Sequence, residues 1–337
     1  MQLLPTDFLQ KSVSLPVFDV RSPAEYAHAH IPQAHNLPLF ENEERAAVGT
    51  CYKIHGQDAA VRLGLQIVGP KLASFVQQAD TLAPQREVLM YCWRGGMRSG
   101  SMAWLLRTAG FKVCTLAGGY KAYRTHLLAA FDQPHTIVIL GGKTGSGKTD
   151  ILRQLAANGE QVIDLEALAH HKGSSYGGIG QAPQPSTEQF ENLLYQQWAA
   201  LDPSRRVWIE DESRKIGTCL LPGGLWQQMQ TAKLIHLQLP KSVRIARLVR
   251  EYACLPEAEL LAATTRLQKR LGGQHYQAAV KALAQKDYAT VADITLTYYD
   301  KAYLHGLAQR SPENLFTLEV KEDNPEKIAR KLMENIF

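Results

Sequence analysis

Two stretches of this chain carry residue types and spacings that can do chemistry. The first is Tyr91-Cys92-Trp93-Arg94-Gly95-Gly96-Met97-Arg98-Ser99. The apolar run Val88-Leu89-Met90-Tyr91 predicts a short buried strand and Ser101–Leu106 predicts a helix, so Cys92 falls at the mouth of a helix N-terminus. Unpaired backbone N–H groups and the positive end of the helix dipole favour an anion there. A free thiol titrates near ~8.5, and flanking arginines such as Arg94 and Arg98 lower that value. Gly95 and Gly96 let the backbone turn its N–H groups inward. With Ser99, these residues describe a thiolate in an anion cradle. A cysteine that merely packs, the common alternative for this residue type, has no use for two arginines and a Gly-Gly pair.

The second stretch is Gly142-Lys143-Thr144-Gly145-Ser146-Gly147-Lys148-Thr149, a complete G-x-x-x-x-G-K-T loop. A buried strand (Thr136–Leu140) precedes it and a helix (Asp150–Leu155) follows, which is the context the motif requires. Its glycines bring N–H groups onto a diphosphate, Lys148 adds a point charge, and the Thr149 hydroxyl suits Mg²⁺. Further strands are expected at Gln161–Glu166, Val207–Ser213 and Leu234–Leu239. The first two end in carboxylates at the sheet edge where ligands bind: Asp164 and Glu166, then Glu210 and Glu212 on one side of an extended strand with Asp211 opposite. Glu210 is the candidate second Mg²⁺ ligand beside Thr149.

Between those strands, 170–183 is glycine-rich, basic and aromatic, and too long for an ordinary connection. His170, Ser174 and Tyr176 make it a candidate substrate loop. From 241 to 290 the pattern is helical and basic, and Arg244, Arg247 and Arg250 recur every three residues. With Lys269 and Arg270 they form a candidate contact face for a phosphate backbone; arginine stems covering apolar surface are the alternative. A last strand and an amphipathic helix are expected over 317–337.

The elements that must hold these residues come from an ordinary composition. The chain has 337 residues, 45% hydrophobic and 20% charged, with a formal net charge of +5. That length favours two domains, placed here at 1–130 and 131–337. No uninterrupted apolar run of ~18 residues is seen, so no membrane span is expected. Five cysteines without a C-x-x-C pair, and no basic-then-apolar leader, point to the cytoplasm. Ser22-Pro23-Ala24-Glu25 reads as a helix start, and His28, His30 and His35 read as structural rather than metal-binding.

In order, Asp19-Val20-Arg21, Glu25-Tyr26, His30-Ile31-Pro32, Asn36-Leu37-Pro38, the cysteine loop and Leu116-Ala117-Gly118-Gly119-Tyr120 resemble the rhodanese family. The resemblance implies a small α/β domain with a mostly parallel sheet, whose loop cysteine carries a transferable chalcogen. Five residues separate Cys92 from Arg98, the spacing of cysteine phosphatases. The first half alone therefore leaves sulfur transfer, selenium transfer and phosphate hydrolysis open. Joined to the phosphate loop, to Asp164-Leu165-Glu166 with His170 and Gly173-Ser174, and to Glu210–Gly217 including Arg214, it resembles the tRNA 2-selenouridine synthase family. Its fold class would be α/β: a rhodanese-like domain, then a P-loop doubly wound parallel-sheet domain with a helical basic segment. The resemblance implies a transferase that exchanges sulfur for selenium at C2 of wobble 2-thiouridine, in a tRNA anticodon arm. Selenophosphate from a separate supplier and geranyl diphosphate would be co-substrates, with Mg²⁺ and no tightly bound cofactor. An ATP-dependent sulfurtransferase and a phosphatase module with a nucleotide switch are the alternatives.

Overall fold

A computed structural model describes residues 1–334, so the last three positions of the expected final helix lie outside the described residues. Contacts divide the chain after Ala130 into two compact units.

The first unit is built on a five-stranded parallel sheet of β1 (Gln2–Leu3), β2 (Val17–Asp19), β3 (His35–Asn36), β4 (Glu87–Tyr91) and β5 (Lys112–Leu116), in the order β1-β5-β4-β2-β3. A parallel sheet is covered on both faces, so its central strand reads as one apolar run rather than an alternation. The Val88–Tyr91 run is buried throughout and lies mid-sheet, which puts Cys92 at the carboxyl end of the central strand. Phe18, Leu37, Phe75, Met90, Met102 and Leu106 share one core with it.

Asp19-Val20-Arg21 fastens this sheet. Arg21 is 1% exposed and bonds the Asp19 carboxylate through Nη2 at 2.6 Å, donates to the Ala29 carbonyl at 2.6 Å, and lies 4.0 Å from the Tyr120 ring centroid. Burial alone would lower the Arg21 pKa; bonding and charge from Asp19 carry it above the usual arginine value. Ser22 caps the helix Pro23–His28 in a full capping box with Glu25. His30 stacks on Tyr26, 3.9 Å between centroids, and its Nδ1 meets the Tyr26 carbonyl at 2.9 Å, in keeping with a structural histidine.

A long helix, Asn42–Val68, kinks at Gly56 and leads through a 3-10 turn at Gly69–Lys71 into Leu72–Leu82. The stretch 42–82 holds an 18-residue window of mean hydropathy 1.2, long and apolar enough by composition alone to cross a membrane.

The second unit holds β6 (Ile137–Gly142), β7 (Gln161–Ile163), β8 (Val207–Glu210), β11 (Lys233–Gln238) and β12 (Leu315–Glu319) in the all-parallel order β12-β11-β6-β8-β7. Two further short strands, β9 (Lys215–Ile216) and β10 (Cys219–Leu220), pair as a hairpin. The phosphate loop thus leaves the middle strand. Its helix, Lys148–Ala157, packs with Pro325–Glu334 in the core around Val138, Leu140 and Trp208. β7 is shorter than the sequence predicts: it ends at Ile163, and Asp164 caps a helix, Leu165–Ala169, that carries Glu166. The segment 241–307 is largely helical, and its Leu260, Ala263, Leu283 and Val291 form an apolar cluster with Ile179 of the 170–183 loop.

Replacing Arg21 with Met leaves the buried Asp19 carboxylate without its cation. We expect a loss of about 3–5 kcal/mol, read as an earlier transition of the first unit in urea unfolding of the full chain. Asp19→Asn in the same background should recover part of it.

Candidate active sites of the two units

In the first unit the chain leaves β4, and Cys92 is 3% exposed with its Sγ 3.2 Å from Ser99 Oγ. The helix that follows begins at Met97 and runs to Thr108, so its N-terminus abuts the loop more closely than the sequence predicts. Gly95 has φ +64°, and the Gly118-Gly119 corner after β5 packs beneath it. A Cβ on Gly119 would stand 2.3 Å from both the Cys92 carbonyl oxygen and the Gly95 nitrogen. Just beyond, the Tyr120 N–H donates to the Cys92 carbonyl at 2.8 Å and the Lys121 N–H to that of Trp93 at 3.0 Å.

The two loop arginines have different roles. Arg94 is exposed. Arg98 is committed to Glu25, with Nη1 and Nη2 at 2.6 and 3.2 Å from its carboxylate oxygens. Burial would raise the Glu25 pKa, but Arg98 holds it below the ordinary value. Arg98, expected to receive the anion, is thus paired with Glu25, and the pair ties the cysteine helix to the helix of Glu25. The sequence marked Glu25 only as a first-turn acid.

In the second unit Gly145 and Gly147 take φ of +81° and +77° around the phosphate loop. Lys148 Nζ donates to the Gly142 carbonyl at 3.3 Å. Burial would lower the lysine pKa, yet Glu212, Glu166, Glu210 and Asp211 together raise it. Glu166, Glu210 and Glu212 bring carboxylate oxygens within 4.8 Å of one another, and all three are shifted upward by burial; repulsion from Glu166 adds to the shifts of Glu210 and Glu212, and Glu212 reaches about 8, while Lys148 offsets part of the shift of Glu166. Thr149 Oγ1 donates to Glu166 at 3.1 Å, and the Glu166 N–H donates to Glu210 Oε1 at 2.7 Å. Glu210 Oε2 is buried without a hydrogen-bond partner. An orphaned carboxylate oxygen among three hard oxygen donors is the chemistry of a divalent-cation site, so Mg²⁺ fits here. Glu210 and Glu212 do lie on one side, with Glu166 joining them, while Asp211 pairs with Arg310 at 3.0 Å. Asp164 instead accepts the Ala167 N–H at 2.8 Å as a helix cap.

The candidate substrate loop folds on itself. His170 Nδ1 lies 2.9 Å from the Pro183 carbonyl, and Ser174 Oγ accepts the Tyr176 N–H at 3.1 Å. Gly173 approaches so closely that a Cβ there would lie 2.7 Å from the Glu212 carboxylate oxygens. Tyr176 is no open platform for a base. Its hydroxyl lies 2.8 Å from Thr264 Oγ1, its ring meets Tyr252 edge-on at 6.0 Å, and burial pushes its pKa up to about 12. Arg214 is exposed beside the β9–β10 hairpin.

The arginine stripe is likewise corrected. Arg244 is buried, bonded to both Asp300 oxygens at 2.8 and 2.7 Å and to the Thr144 carbonyl at 3.1 Å. Arg247, also buried, pairs with Asp150, with Asp323 at 2.7 Å and with Glu251 at 2.8 Å. Both guanidinium groups brace the phosphate loop, because only paired charges are stable at that depth. Arg250 is 67% exposed but also touches Asp323, while Lys269 and Arg270 lie at the surface, Arg270 over the Tyr298 ring.

Two cavities meet at this loop. One, of about 440 Å³, is lined by the phosphate loop, Glu166, Glu212 and Arg247. The other, narrow at about 60 Å³ and chiefly apolar, runs among Tyr176, Leu260, Leu283, Val291, Ala292 and Leu296. Thr144, Ser174, Leu248, Tyr252 and Tyr299 line both. The sequence reading missed Tyr252, Tyr299 and Tyr303; the last two sit four apart on the helix Tyr288–Leu307, a spacing that signals a shared face.

The comparisons with known proteins agree with this pairing of sites. Residues 135–330 match the family model described as the tRNA 2-selenouridine synthase AAA domain, and 5–126 match that of the rhodanese-like domain. A tRNA 2-selenouridine synthase of Bordetella bronchiseptica is 36% identical over 90% of this chain and 91% of its own. One from Shewanella loihica is 36% identical over 89% of each chain, and one from Pseudomonas putida 34% over 98% of each. The chain belongs to the tRNA 2-selenouridine synthase family and is a tRNA-modifying transferase.

Proposed function

We propose that this enzyme replaces the C2 sulfur of wobble 2-thiouridine with selenium in two steps. At the phosphate loop the thione sulfur attacks the first carbon of geranyl diphosphate, and the C–O bond breaks with diphosphate leaving. At the cysteine loop selenium from selenophosphate bonds to C2, and the C2–S bond breaks to release geranylthiol; water supplies the oxygen that completes the phosphate product. Alkylation turns a poor leaving group into a good one. The observation that carries the reading is the shared wall between a glycine-lined phosphate loop and an apolar cavity. A prenyl diphosphate has that division: a charged head and a hydrocarbon tail.

Within this scheme Lys148 and the loop N–H groups take the charge that develops on the departing diphosphate. Glu166, Glu210 and Glu212 would hold Mg²⁺, which when bound neutralises diphosphate charge. Arg94 and the N-terminus of the helix Met97–Thr108 receive the selenophosphate anion, and Cys92 acts on the selenium or on C2. Lys269 and Arg270 are surface cations for the phosphates of the anticodon arm.

Four measurements test this scheme. Given thiolated tRNA and both donors, Cys92→Ala should accumulate the S-geranyl nucleoside and make no selenouridine, by nucleoside mass spectrometry. Lys148→Ala should slow geranylation by about 10²–10³-fold, and an unchanged rate would overturn its assignment. Filling the apolar cavity with Ala292→Trp should weaken geranyl diphosphate binding by at least about tenfold, which is ~1.4 kcal/mol, with inorganic diphosphate affinity unmoved in calorimetry. Finally, Mg²⁺ should raise the melting temperature of the wild type. Glu210→Gln should abolish that rise and leave the metal-free protein no less stable, because it removes a buried, unpartnered carboxylate oxygen.

A further inference from the structure

A groove of about 440 Å³ runs beside the cysteine loop in the first unit. It lies between the helix Met97–Thr108 and the segment formed by Asn42–Val68 and Leu72–Leu82, with Leu65, Val68, Leu72, Met97, Trp104 and Leu105 along its walls. No charged side chain lines it. Leu65, Met97 and Trp104 are 66%, 57% and 63% exposed, three large apolar side chains turned to water in one place. Such a cluster on a soluble surface marks a binding site, and the volume is that of a small-molecule site.

We infer that this groove holds the prenyl chain of the S-geranylated nucleoside while the cysteine loop exchanges sulfur for selenium. The inference rests on the two-step reading above and assigns a second hydrocarbon site to it, separate from the cavity beside the phosphate loop. Its occupant follows from continuity with the reacting loop. Met97 is both the last apolar residue of the Cys92–Ser99 loop and the first wall of the groove, and Gly100 follows Ser99, whose hydroxyl lies 3.2 Å from Cys92 Sγ. From Met97 to Leu105 the helix rises about 12 Å at 1.5 Å per residue, the span of an extended geranyl chain. A nucleoside with C2 at the cysteine loop carries its geranyl sulfur there too, so the chain must lie either in water or along this surface.

The test uses full-length enzyme, selenophosphate and two preformed substrates, S-geranyl-tRNA and S-methyl-tRNA, compared by kcat/KM for selenouridine formation. The wild type should prefer the S-geranyl substrate by tenfold or more. Leu65→Gln/Trp104→Gln changes only exposed positions, so the fold should hold, as circular dichroism would verify; the preference should fall to within threefold of unity. A variant that keeps the wild-type preference, or that loses both substrates in proportion, would overturn the inference. So would a variant whose preference is intact but whose sedimentation changes, since the groove would then be a self-association face. A wild type that selenates S-methyl-tRNA but not S-geranyl-tRNA would instead sink the two-step reading itself.

Discussion

Uncompensated negative charge at the end of the central strands of the second unit is the constraint around which that unit is arranged. Lys148 faces Glu166, Glu210, Asp211 and Glu212, and among the described residues only Asp211 has a second cation, Arg310. Buried like charges within reach of one another cannot all ionise, so the remaining three carboxyls are held partly protonated or await a cation. Under the reading proposed above, a divalent ion held by these carboxylates would offset the repulsion between them and an incoming diphosphate. The Gly173 turn against Glu212, the Thr149 hydroxyl on Glu166 and the Glu166 amide on Glu210 keep the cluster in place.

The first unit handles charge differently. It neutralises its ions in pairs, the buried Arg21 with Asp19 and the half-buried Arg98 with Glu25. What remains for substrate is one exposed arginine and the dipole of a helix that starts at the loop itself. Paired charges hold the geometry, and weak, oriented charges do the binding. That arrangement suits a site whose anion must arrive, give up an atom and leave.

Chemistry carried by contiguous residues was legible in the sequence, because a strand, a loop and a helix in order determine their own local geometry. Cys92 at a helix mouth, the Gly142–Thr149 loop and the Glu210/Glu212 pair are of this kind. Roles that depend on partners far along the chain were not legible. Arg244, Arg247 and Arg250 have the spacing of one helix face, and nothing local distinguishes a face turned to RNA from one turned inward; the partners Asp300 and Asp323 lie more than fifty residues on. The same limit hid Glu25 behind its capping role and hid the contacts of Tyr176 with Thr264 and Tyr252. Strand ends also escaped: Asp164 stops β7 by capping a helix, a competition between side chain and ladder that a run of apolar residues does not reveal.

The glycine pair after β5 bears on what holds such a loop in place. Because the floor beneath Cys92 and Gly95 is supplied by Gly118-Gly119, a segment from a different strand, one jaw of the vise stays put whatever happens to the other. A side chain on Gly119 would lift the cysteine loop off that floor, since its Cβ would stand 2.3 Å from the Cys92 carbonyl oxygen and the Gly95 nitrogen. The position of the sulfur is thus set as much by the segment after β5 as by the strand that carries it.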